Sequence, residues 1–173
     1  MFTEGEKMAH HKTAKNLAEA FAGESQANRK YLAFAKKADE EGYPQAAKLF
    51  RAAADAETIH AHSHLRAMKG IGSTKENLEA AVSGETFEFK DMYPKMIEEA
   101  SEEDQGEARL SFNFANKVEA VHAGLYQEYL DNLGNNAGTP IFVCQVCGNT
   151  VEGAAPDKCS VCGNPKEMFN EIK

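Results

Sequence analysis

No stretch of this chain stays apolar for more than a few residues, which falls far short of the roughly 20 needed to cross a bilayer. The first residues, Met1-Phe2-Thr3-Glu4-Gly5-Glu6-Lys7, are acidic and lack the apolar core of a secretory signal. The cytoplasm is therefore the expected address, with no membrane partner. Basic residues are too few for a nucleic-acid surface: 19 Lys and Arg stand against 27 Asp and Glu, a formal charge of −8. Cysteine is missing until Cys144, and all four cysteines fall in the last 30 residues. Without an export signal, that distribution favours metal binding over a disulfide framework.

What remains is a chain of 173 residues with 42% hydrophobic and 27% charged residues, enough for one globular helical domain and a small appendage. Four long segments carry helical periodicity. The first runs from about Lys12 to Glu41, stops at Gly42-Tyr43-Pro44, and has the seam Leu17, Phe21, Glu24, Asn28, Tyr31, Ala35. The second runs from about Gln45 to Lys69 with the seam Ala46, Phe50, Ala53, Glu57, His60, His64. The third opens on a capping box, Ser73-Thr74-Lys75-Glu76, and continues through Leu78, Val82, Glu85, Phe89 and Met92. Pro94 should kink it near Asp91. The fourth runs from about Gln105 to Leu133 with the seam Ala108, Phe112, Ala115, Glu119, His122, Tyr126, Tyr129, Leu133, and Gly134 is its expected C-terminal cap. A short linker, Asn135 to Pro140, precedes the cysteines, so the expected division is 1–136 and 137–173. The second piece is too small to bury a core alone and needs a metal to fold.

The helical part repeats itself. Leu17 to Glu24 (LAEAFAGE) resembles Leu78 to Glu85 (LEAAVSGE), and a Glu-x-x-His follows each glutamate 33 and 34 residues later: Glu57 to His60 and Glu119 to His122. Two duplicated helical hairpins are expected. Four glutamates thus sit on seams otherwise filled by apolar side chains, where an ionised carboxylate costs several kcal/mol unless a cation compensates it. No Lys or Arg shares those seams. Metal ions are the compensation that fits: one Glu from each of two helices, plus Glu-x-x-His from each of the other two, is the ligand set of di-iron and di-manganese bundles. Glu88, three residues after Glu85, lies on the same side and is either a seventh ligand or a hydrogen-bonding neighbour of the site.

The cysteines form two knuckles, Cys144-Gln145-Val146-Cys147-Gly148 and Cys159-Ser160-Val161-Cys162-Gly163, separated by 11 residues. Four thiolates make a tetrahedral site for zinc or a single iron, and the spacing leaves both open.

Taken together, these residues resemble the rubrerythrin family over essentially the whole chain. Ala20-Phe21-Ala22-Gly23-Glu24-Ser25-Gln26-Ala27 is similar to its first-helix motif, and Gly84-Glu85-Thr86-Phe87-Glu88-Phe89-Lys90-Asp91-Met92-Tyr93-Pro94 to its third. Asp91 replaces the family's usual Glu at a non-ligand position, and Gln145 and Ser160 replace frequent prolines. The resemblance implies an all-α, ferritin-like four-helix bundle with a C-terminal rubredoxin-like domain. It implies two irons in the bundle, held by Glu24, Glu57, His60, Glu85, Glu88, Glu119 and His122, and a third at Cys144, Cys147, Cys159 and Cys162. It implies reduction of hydrogen peroxide to water in oxidative stress protection, with electrons from a donor such as a rubredoxin or an NAD(P)H-dependent reductase. One iron is expected to exchange His60 for Glu88 on redox change, and Tyr31 and Tyr93 to hydrogen-bond ligand carboxylates. A head-to-tail homodimer is implied as well. The alternative is a ferritin-like ferroxidase that handles iron. His64 is expected beside the ligands or at the bundle end, and His62, His10 and His11 at the surface.

Overall fold

The computed structural model describes residues 4–136 and 138–173, with side chains described from Lys12 onward, so the expectation for His10 and His11 lies outside the described side chains. The chain divides into two compact units, Met1–Gly72 and Ser73–Lys173.

The first unit is a helical hairpin, α1 (Glu4–Glu40) and α2 (Pro44–Ala67). Gly42, at φ +79°, takes a left-handed turn that residues with a Cβ avoid, and Pro44 starts α2 where its missing N–H costs nothing. Among the described residues, Ala35, Ala38, Ala47, Ala54 and Ala61 are the buried apolar ones of this hairpin, so the two backbones approach on small side chains. Buried Asn28 locks the register: its Nδ2 donates to the Ala54 carbonyl at 2.7 Å and to Thr58 Oγ1 at 2.8 Å. The first seam is buried or half-buried at all six of its expected positions. The second is shifted at its start, because Ala46 is exposed while neighbouring Ala47 is fully buried.

The second unit holds α3 (Thr74–Phe87), α4 (Tyr93–Glu102) and α5 (Gly106–Asp131), followed by a three-stranded antiparallel sheet. The capping box forms: the Ser73 hydroxyl accepts from the Glu76 N–H, and Glu76 Oε2 accepts from the Ser73 N–H at 2.7 Å. The irregularity expected at Pro94 is a π-helical turn over Glu88–Met92, where the Tyr93 N–H reaches back five residues to the Glu88 carbonyl. Pro94 has no N–H for the carbonyl four residues before it, so the helix widens one turn ahead and restarts as α4. Asn132 caps α5, and Gly134 takes φ +94° just beyond.

Strands β1 (Ile141–Cys144), β2 (Thr150–Glu152) and β3 (Phe169–Ile172) lie in the order β2-β1-β3. Cys144, Ala155, Cys159 and Phe169 form their small buried core. No described helix is long and apolar enough to cross a membrane.

Candidate metal centres

Three groups of metal-ligating side chains converge among the described residues. In the first unit, Glu24 on α1 meets Glu57 and His60 on α2. His60 Nδ1 lies 2.8 Å from Glu57 Oε2 and 3.9 Å from Glu24 Oε1. In the second unit, Glu85 on α3 meets Glu119 and His122 on α5, with His122 Nδ1 2.8 Å from Glu119 Oε2 and 3.9 Å from Glu85 Oε1. The helical spacing i, i+3 places each Glu and His on one face, and the partner helix supplies the third group. The duplication in sequence is thus a duplication of geometry. Donors held about 2.1 Å from one ion lie at most about 4.2 Å apart, and those of each triad lie within 4.8 Å of one another, so each needs only a small contraction to grip a cation.

In the second triad the carboxylates are partly buried and crowd one another. Glu85 is held above the usual carboxylate range by burial and then by the Glu119 charge, against the pull of His122. Glu88, at the start of the π turn, is raised by burial and by Glu119. The Tyr93 phenol is raised by burial and by Glu88, Glu119 and Glu85, so it stays protonated and able to donate. Tyr93 stacks obliquely near Phe112; Tyr31 packs near Phe34 and Phe50. The structure therefore puts Glu88 and Tyr93 in the electrostatic reach of the triad that Glu85 begins. His62 is exposed and His64 half-buried.

The two histidines differ in what holds them. His60 is more than half exposed, 56% against 27% for His122. His122 is also gripped from behind, its Nε2 lying 2.9 Å from Thr150 Oγ1.

The four cysteines converge in the appendage. Cys144 and Cys162 sulfurs are 3.7 Å apart, Cys147 and Cys159 sulfurs 3.6 Å. A tetrahedron of thiolates about 2.3 Å from an ion has its sulfurs about 3.8 Å apart, so the residues fit a four-coordinate metal with almost no movement. The knuckles are built alike: the Gly148 and Gly163 N–H groups bond the Cys144 and Cys159 carbonyls at 2.8 and 2.9 Å, and both glycines take positive φ. Asn149 and Asn164 complete the pair, their carbonyls accepting from the Cys144 and Cys159 N–H groups at 2.9 and 2.8 Å. Against burial, the Asn164 N–H groups and the neighbouring thiols bring Cys162 down to about 6, while burial pushes Cys147 up. The asparagines carry a sequence signal that the cysteines overshadow, a repeated Cys-Gly-Asn. Thr150 carries none, because nothing in its neighbourhood points to His122.

Comparison with known proteins agrees with this inventory. The rubrerythrin family profile matches residues 15–130, and that of the rubrerythrin rubredoxin-like domain matches 142–170. Rubrerythrin-2 of Clostridium acetobutylicum is 34% identical, with 91% of this chain and 95% of that protein covered. Rubrerythrin of Porphyromonas gingivalis is 36% identical, covering 94% of this chain and 90% of its own length. Nigerythrin of Nitratidesulfovibrio vulgaris is 36% identical, with 94% and 88% covered. A solved structure of nigerythrin in its fully reduced, all-ferrous state superposes with a TM-score of 0.58 at 34% identity, over 92% of this chain and 86% of that one.

Proposed function

The chain belongs to the rubrerythrin family, and from that premise we propose that it is a non-haem di-iron peroxidase reducing hydrogen peroxide to water in oxidative stress protection. The observation that carries this reading is the presence, in one chain, of two matched Glu/Glu/His triads and a four-thiolate site. Glu24, Glu57, His60, Glu85, Glu119 and His122 would hold two irons, with Glu88 as a seventh ligand, and Cys144, Cys147, Cys159 and Cys162 a third. Bound iron would supply the electrons that cleavage of the O–O bond requires.

The protein's own groups then have distinct tasks. The carboxylates offset the charge of the cations and satisfy them with hard oxygen donors. Tyr93, kept protonated by burial and the carboxylates around it, would donate toward them, and Tyr31 would donate to a ligand carboxylate in the other hairpin. His60, exposed and held through Nδ1 among its described contacts, would be the histidine that yields its place to Glu88 when iron is bound. The four-cysteine module receives electrons from an external donor such as a rubredoxin or an NAD(P)H-dependent reductase. A cytoplasmic homodimer, divided at 136/137, completes the reading. Large apolar side chains left exposed on both hairpins, such as Leu49 and Ile59 on α2 and Phe87 on α3, support association. A ferroxidase that stores iron would leave both Glu88 and the cysteine module without a task.

Anaerobic addition of hydrogen peroxide to the iron-loaded, reduced protein tests the reading. Rapid oxidation, followed by repeated turnover when a reductant is supplied, is the expected result. Oxidation by dioxygen with release of ferric mineral, and indifference to peroxide, would establish the storage alternative instead.

A further inference from the structure

We propose that Thr150 is a positioning residue for His122, fixing its ring from the side of the four-cysteine module. The proposal rests on the di-iron reading above.

The contact has a repeating construction. Val118, His122 and Tyr129 are spaced four and seven residues apart on α5 and so share one stripe of the helix. Thr150 and Glu152 are alternate residues of β2 and share one face of that strand. Thr150 meets His122 at 2.9 Å, and Glu152 accepts a hydrogen bond from the Tyr129 phenol. Val118, which is buried, faces the knuckle glycine before them: a Cβ placed on Gly148 would lie 3.8 Å from Val118 Cγ1. Between the polar contacts lies a cleft of about 230 Å³ bordered by Leu78, Leu125 and Ile141. The module is therefore held on α5 chiefly by named hydrogen bonds, and Thr150 makes the one that reaches a candidate ligand.

The atoms fix what Thr150 does. His122 turns Nδ1 to Glu119 and Glu85, so a cation in the triad would take the Nδ1 lone pair. The ring proton then belongs on Nε2, and it needs an acceptor. Thr150 Oγ1 provides one, because its own hydrogen can turn to the Gly148 carbonyl, 3.2 Å away. A ring pinned at Nε2 cannot rotate away from the metal. His60 has no such anchor among its described contacts, so the two triads are alike in front and unlike behind. Thr150 is thus the anchor that distinguishes His122 from His60.

One measurement on the full-length protein decides the matter. In zinc-loaded protein carrying 15N-histidine, the His122 Nε2–H should exchange with solvent about tenfold more slowly in the unmodified chain and in Thr150→Ser than in Thr150→Val, which removes the hydroxyl but keeps the shape. Equal exchange in the unmodified chain and Thr150→Val overturns the positioning role. If the unmodified reduced protein ignores peroxide, the peroxidase reading fails, while the zinc measurement still judges Thr150.

Discussion

Glu88 differs from its neighbour Glu85 in what surrounds it. Glu85 converges with Glu119 and His122 on one point, whereas Glu88 begins the π turn and feels that point mainly through the Glu119 charge. Removing them should therefore have different consequences. Glu85→Ala deletes a triad donor and is expected to weaken metal loading itself. Glu88→Ala leaves both triads complete, so two metals should still bind. Its rate of oxidation by peroxide should fall about 10²-fold, because a group that stabilises developing positive charge is gone. Stopped-flow oxidation of the two reduced variants, with metal analysis of each, separates these effects. Full loading with an unchanged rate in Glu88→Ala would make Glu88 a bystander and return weight to the storage reading.

At the scale of elements, α3 shows how local chemistry places that pair. Its start is fixed by Ser73 and Glu76, each bonding the other's backbone N–H. Ser73→Ala should lower the thermal stability of the metal-free protein by about 1 kcal/mol, read from denaturant titration. The pH dependence follows from Glu76, whose carboxyl is held below 4.5 by its bonds to the Ser73 side chain and backbone. Because the folded form binds its proton less readily than the unfolded one, the cap's contribution is present above pH 4.5 and is lost as pH falls through the lowered value. Acid titration of helix content should show a midpoint shift in Ser73→Ala confined to that acidic range. Much of this architecture was legible beforehand, because caps, proline breaks and seam glutamates are written in adjacent residues. The type of irregularity at Pro94 was not: a proline forbids one hydrogen bond without saying whether the chain bends or widens. The alanine stripe of Ala47, Ala54 and Ala61 was also passed over, since Ala46 and Ala47 read alike until the partner helix chooses between them. Thr150 and the Tyr129–Glu152 bond were out of reach altogether, being contacts across 28 and 23 residues between unlike elements.

For the whole molecule, the decisive contrast lies between helices that carry their own hydrogen bonds and an appendage with only a very small core. Residues 138–173 bury only Cys144, Asn149, Ala155, Cys159 and Phe169, and two of these five are candidate metal ligands. So little apolar burial cannot offset the entropy of ordering three strands and two knuckles. The metal must supply the difference, and structural four-ligand sites contribute about 10–16 kcal/mol on binding. Chelation of the thiolate-bound metal should therefore melt β1, β2 and β3 together while the helical circular-dichroism signal is largely kept, since helices bond within themselves. The loss should also reach His122: once β2 melts, Thr150 leaves Nε2, and the slow exchange of that ring proton should vanish with the sheet. Amide spectra recorded during chelation would follow both events. Simultaneous loss places the appendage and the His122 anchor in one cooperative unit. A sheet that survives without metal would show instead that its small core, with the docking bonds to α5, is enough to hold it.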